Sequence, residues 1–191
     1  MNSEQIEHMK QSGMLFLDKE RRKSHFDGAN LLKWSALIPA ALFLYFLIKN
    51  GLDGFGFMVL IFGIMASIFL LAGYLIHKSQ EKKLKLTTIY TGMKKDVNYM
   101  IAKATFDALQ WPLSEDSPDF IEAYNPHRDI RTWGKEMVSV LPLHNQIMIN
   151  SICNLEEMNQ IAFSFGKNKQ NVEKFIEYFE LIAQNKKQQS A

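Results

Sequence analysis

A single cysteine, Cys153, excludes any disulfide within the chain and fits a reducing compartment. No catalytic motif stands beside it, so the thiol reads as a small buried strand residue rather than a nucleophile. One cysteine and five scattered histidines do not outline a zinc site. Also missing are the GxxxxGK(S/T) phosphate loop, His-Glu-x-x-His, CxxC and GxSxG. No reaction is indicated by motif, and no cofactor is expected. The two longest apolar runs hold no acidic residue, which removes the usual basis for a proton- or ion-coupled path.

What is present is unevenly distributed. Mean hydropathy is −0.13, ordinary for a soluble protein, yet the apolar residues are concentrated between Leu31 and Ile76. The net charge of +2 hides a gradient. Between His77 and Lys103, seven basic residues (Lys78, Lys82, Lys83, Lys85, Lys94, Lys95 and Lys103) face only Glu81 and Asp96. Beyond Ala104 the balance turns acidic, eight basic residues against twelve acidic. A basic collar beside an acidic domain suits a bilayer surface and does not suit a nucleic-acid binder.

Phe55–Ile76 contains no charged residue, and as a helix it would extend about 33 Å, enough to cross a hydrocarbon core of ~30 Å. Leu31–Ile48 is a shorter second span, with Lys33 placed to snorkel, Trp34 suited to the interfacial belt and Pro39 as a tolerable kink. The connection Lys49-Asn50-Gly51-Leu52-Asp53-Gly54 is short, so the two form an antiparallel hairpin. Ala36/Ala40 and Gly63/Ser67 permit close helix approach. Lys19, Arg21, Arg22 and Lys23 precede the hairpin, and Lys78, Lys82, Lys83 and Lys85 follow it. The positive-inside bias therefore predicts a multi-pass cell-membrane protein with both termini cytoplasmic. A polar arm of some thirty residues before the first span argues against a cleaved signal peptide.

Five segments follow: an amphipathic, basic arm (1–30), the transmembrane hairpin (31–76, spans 31–48 and 55–76), a basic juxtamembrane segment (77–86), a cytoplasmic α+β domain (87–185) and a tail (186–191). Within the arm, Ser3–His25 reads as helical, and its apolar side suits either the inner leaflet or the domain. In the domain, Ile89, Met93, Val97, Met100, Ile101, Ala104 and Ala108 give helical spacing that ends at Trp111-Pro112. Leu113–Pro118 reads as a loop. Strands are predicted at Asp119–Tyr124, Lys135–Leu141, Gln146–Cys153 and Gln160–Phe165, with a hairpin turn at His144-Asn145. Val172, Phe175, Ile176, Phe179 and Ile182 form the stripe of a last helix. The domain is thus expected as helix, three or four antiparallel strands, helix.

Three groups of residues are candidates for contact with something outside the chain. Gly166, Lys167, Asn168 and Lys169 join the last strand to the last helix, where exposed amides and lysines could hold a phosphate or carboxylate. The plainer alternative is a glycine turn, with Asn168 or Asn171 capping the helix. His127, Arg128, Arg131 and Trp133 resemble a recognition loop, though the tryptophan could equally anchor that loop on the sheet. Lys78, Lys82, Lys83 and Lys85 would meet an anionic inner leaflet. Expected partners are this bilayer and either another protein or a second copy, with no nucleic acid. The leading reading is a non-enzymatic interaction or regulatory module at the cytoplasmic face of a bacterial membrane. Alternatives are a ligand-sensing effector whose hairpin oligomerises to perturb the bilayer, and an unrecognised enzyme.

Overall fold

The computed structural model describes residues 1–50, 57–126, 135–154 and 166–189. Two compact units emerge, one built from residues 1–21 with 83–191 and the other from 22–82.

The second unit is helical. Helix α2 (Lys19–Ser35) and helix α3 (Leu37–Asn50) are separated by a turn at Ala36. Pro39 explains the interruption, because it offers no N–H to the Ser35 carbonyl and its ring crowds that oxygen. Helix α4 (Phe57–Lys83) runs back antiparallel to both. Phe46 stacks on Phe62 at 5.8 Å and Phe26 on His77 at 4.4 Å, while His25 Nε2 lies 3.1 Å from the Gln80 carbonyl. Two helical stretches, Lys19–Lys49 and Leu60–Lys83, are long and apolar enough to cross a membrane.

The first unit is an α+β domain. Strand β1 (Thr87–Tyr90) precedes helix α5 (Lys95–Ala108), and strands β2 (Leu113–Ser117), β3 (Phe120–Asn125), β4 (Lys135–Leu143) and β5 (Gln146–Asn154) precede helix α6 (Lys167–Gln189). The sheet is antiparallel in the order β1-β5-β4-β3-β2. Among the described residues it has five strands rather than three or four. The two strands not expected lie where a helix and a loop were predicted. Thr87–Tyr90 is extended because its β-branched and aromatic residues pair with Gln146–Ile149, and Gly92 at φ +65° then breaks the path to α5. Leu113–Ser117 has a turn-like composition but is held by pairing with β3, and Ser117 Oγ closes the connection by accepting from the Phe120 amide. Gln160–Phe165 and the loop bearing His127, Arg128, Arg131 and Trp133 lie outside the described residues.

Both sheet faces are buried. Ile121, Ala123, Val138, Val140, Ile147 and Ile149 face Ile101 and Phe106 of α5 and Phe175 and Phe179 of α6, with the Phe106 and Phe175 rings 4.9 Å apart. Buried Asn98 pins the start of α5 to the β4–β5 hairpin by donating to the Leu143 and Gln146 carbonyls. On the opposite face Phe120, Glu122, Met137, Ser139, Leu141, Met148 and Ile152 are equally hidden. The segment tied to this face is the N-terminal arm.

The arm is not one helix over Ser3–His25. Helix α1 (Ser3–Ser12) stops at Gly13, which takes the left-handed conformation at φ +65°, and an extended piece then bridges Met14 to Lys85. Its Ile6, Met9, Leu15 and Leu17 are buried. Leu15 N donates to the Leu84 carbonyl and Leu86 N to the Gly13 carbonyl. Asp18 then starts α2 by accepting from the Arg21 amide at 2.8 Å. Of the two seats open to the arm, residues 1–21 take the one on the domain.

Candidate anion-binding pocket

Strand β1 is four residues long, so it covers only the first part of β5. Past Thr87 the edge of β5 is met by the chain leaving α4 and by the start of α6. A cavity of about 390 Å³ lies there, lined by Lys83, Lys85, Thr87, Asn150, Ser151, Gly166, Asn168, Lys169 and Val172.

The local chemistry begins with Asn150. Its neighbours on the same face of β5, Met148 and Ile152, are apolar, and Asn150 itself is 4 % exposed. Its Nδ2 donates to the carbonyls of Lys83 at 2.8 Å and Lys85 at 2.6 Å. These two bonds fix the chain as it leaves α4, and so they hold both lysines at the cavity. Asn150 Oδ1 is buried and accepts from nothing among the described residues. Lys83 is half-buried, Lys85 is exposed, and neither forms an ion pair among the described residues.

The opposite wall is the N-terminus of α6. Gly166 precedes the helix at φ +84°, a conformation that disfavours any side chain, and its carbonyl accepts the first helical bond from Gln170 N. Neither asparagine named as a cap plays that part. Asn171 is buried, donating to Glu136 Oε2 at 2.5 Å and Ser151 Oγ at 3.2 Å while accepting from Asn125 Nδ2 at 2.9 Å. Asn168 Oδ1 is a distant acceptor for the Cys153 thiol at 4.0 Å. The Asn168 and Lys169 amides, in the first turn, therefore have no acceptor among the described residues. Lys169 lies 3.5 Å from Glu173, an exposed pair of little strength.

Beneath α6 the surroundings change sign. Glu136 is 3 % exposed and its Oε1 has no partner among the described residues. Burial, reinforced by the Glu136 charge and opposed by Lys83, pushes the Cys153 thiol up to about 11. The thiol is thus kept protonated at neutral pH, consistent with a packing residue.

Two of the groups expected from sequence converge here in part. Gly166, Asn168 and Lys169 line the cavity with Lys83 and Lys85, whereas half-buried Lys167 does not. Lys78 and Lys82 are exposed outside it, Lys78 lying 6.0 Å over the Tyr74 ring. Asn150 and Ser151 were not foreseen; the available signal was a polar pair interrupting the apolar strand Gln146–Asn154. Among the described residues no cluster of three or more His, Cys, Asp or Glu is placed to hold a metal ion. No protein-family profile, curated protein or solved structure matches the chain.

Proposed function

We propose that this protein is a membrane-anchored, non-enzymatic interaction or regulatory module that presents its α+β domain at the cytoplasmic face of a bacterial membrane. The supporting observation is the exposure of the apolar helices. Only 11 % of the apolar 18-residue stretch of each candidate span is buried, and Leu37, Ile38, Ile64, Ile68 and Leu71 are each at least half exposed. A core helix of a soluble protein would hide these side chains, and a water-exposed apolar surface of this extent calls for a lipid or protein cover. Hydrocarbon satisfies both helices at once, since their backbone bonds are internal. The basic residues on both flanks of the hairpin orient it with the domain inside.

The anchor enters the domain at two places, through α2 and through α4, so a change in either membrane or domain has two covalent routes to the other. Such a module works by position and binding, through a protein partner or a second copy. The test is alkaline carbonate extraction followed by labelling of single cysteines at Asn50 and Gln188, in a Cys153→Ser background, with an impermeant thiol reagent. Retention in the membrane pellet and labelling of intact cells at position 50 alone are expected. Release by carbonate overturns the anchor, and labelling at 188 overturns the orientation.

A further inference from the structure

The geometry points to the cavity between the exit of α4 and the start of α6 as a binding site for a phosphate group, carried either by a lipid headgroup or by a soluble phosphate. The lipid source rests on the membrane reading above; the soluble source does not. Three lysines from two separate places in the chain, Lys83 with Lys85 and then Lys169, line one cavity. Across it, the Asn168 and Lys169 amides of a 23-residue helix have no acceptor among the described residues, and a helix N-terminus carries partial positive charge. Cations and unfilled amides together select an oxyanion.

An independent observation is Asn150, which lines the same cavity with its Oδ1 buried and without a partner among the described residues. An unmet buried acceptor costs free energy unless a donor arrives. Monoprotonated phosphate and the glycerol headgroup of phosphatidylglycerol both combine an oxyanion with a hydroxyl donor. Lys83 also lies seven residues beyond Ile76 on α4, about 10 Å along the helix, the depth at which headgroups would follow the hydrocarbon. The volume of about 390 Å³ admits a headgroup or a small phosphoester.

The experiment uses the full chain in phosphatidylcholine nanodiscs. Its thermal midpoint is followed by tryptophan fluorescence with added potassium phosphate, against potassium chloride at equal ionic strength, and again in discs containing phosphatidylglycerol. A rise in midpoint with phosphatidylglycerol alone identifies the lipid headgroup, and a rise with inorganic phosphate identifies the soluble source. Lys83→Gln/Lys85→Gln/Lys169→Gln should weaken the response roughly tenfold or more. Asn168→Asp is the second variant: a carboxylate in the first turn favours the helix while repelling the anion, so folding is retained and the response lost. No midpoint shift with either source, or shifts unchanged in Asn168→Asp, overturns the site. Repeating the phosphate arm in detergent micelles separates failure of the pocket from failure of the anchor.

Discussion

Arg21 and Glu122 join the N-terminal arm to the third strand: the guanidinium Nη1 donates to Glu122 Oε2 at 2.9 Å and Oε1 at 3.2 Å. The Glu122 side chain is 3 % exposed and that of Arg21 27 %. Ser114 Oγ also donates to the carboxylate at 2.9 Å. A buried carboxylate is tolerated only while such partners remain, so the arm belongs to the fold rather than trailing from it. Arg21→Ala should destabilise the domain by about 2–3 kcal/mol, below the usual loss for a broken buried pair because the arginine is partly hydrated. Adding Glu122→Gln should recover ~1 kcal/mol or more, since it removes the stranded charge. Urea unfolding of the three proteins in detergent, followed by circular dichroism, checks both values. Equal midpoints for Arg21→Ala and the unmodified chain would mean that the arm is not held by this pair.

Cys153 offers a pH-dependent check on the polar layer beneath α6. Its thiol is raised to about 11 by burial first and by Glu136 second. Reaction with a thiol reagent proceeds through the thiolate, so the rate in the folded protein should climb roughly tenfold per pH unit up to about pH 11. The stability consequence has a definite sign. The folded state keeps its proton to higher pH than the unfolded thiol, which titrates near 8.5–9. The contribution is therefore complete below about pH 8.5 and is lost as pH rises through about 11. Glu136→Gln should bring the reaction midpoint down. A midpoint at or below 9 in the unmodified protein would place Cys153 in a wetter setting than its surroundings allow.

The hairpin, β3 to β5 and α6 were legible because each carries its own period or length over enough residues. Phe175 and Phe179 fall on the stripe expected of α6 and are buried against the sheet. What escaped depended on distant partners. Ile89 stands four residues before Met93, so β1 merged into the helical pattern of α5, and only pairing with β5 separates them. The sequence Leu-Ser-Glu-Asp-Ser reads as a loop until β3 is beside it. The pocket shows the same limit. Its lysines and its helix start stand out as two unrelated clusters more than eighty residues apart, and their meeting depends on β1 being too short to cover β5. The polar pair Asn150-Ser151 is visible within an apolar strand, but the Lys83 and Lys85 carbonyls that Asn150 meets are not.

Gly73 marks a close approach of α4 to α2 and gives the packing of the hairpin unit a sharp test. A Cβ placed there would lie 2.8 Å from Lys33 Cγ, 3.0 Å from the Ala29 carbonyl oxygen and 3.1 Å from Lys33 N. The first contact is with a flexible stem that can swing aside, but the other two are backbone atoms of α2 and cannot yield without moving the helix. At Gly63 an added Cβ would meet only the Phe43 ring, at 3.3 Å, and a ring can tilt by that amount. Close approach at a small residue is the main source of helix association where lipid replaces water, because no hydrophobic gain distinguishes a helix partner from the acyl chains. Gly73→Val should therefore force α2 from α4 and cost about 1–3 kcal/mol, the usual range for overpacking, whereas Gly63→Ala should cost less than about 1 kcal/mol. Thermal unfolding in micelles gives the order directly. The phosphate response of the α+β domain should survive Gly73→Val, since the pocket residues all belong to the other compact unit. If Gly63→Ala proves the more damaging change, or if Gly73→Val is neutral, the close contact between α2 and α4 is not what holds the hairpin together.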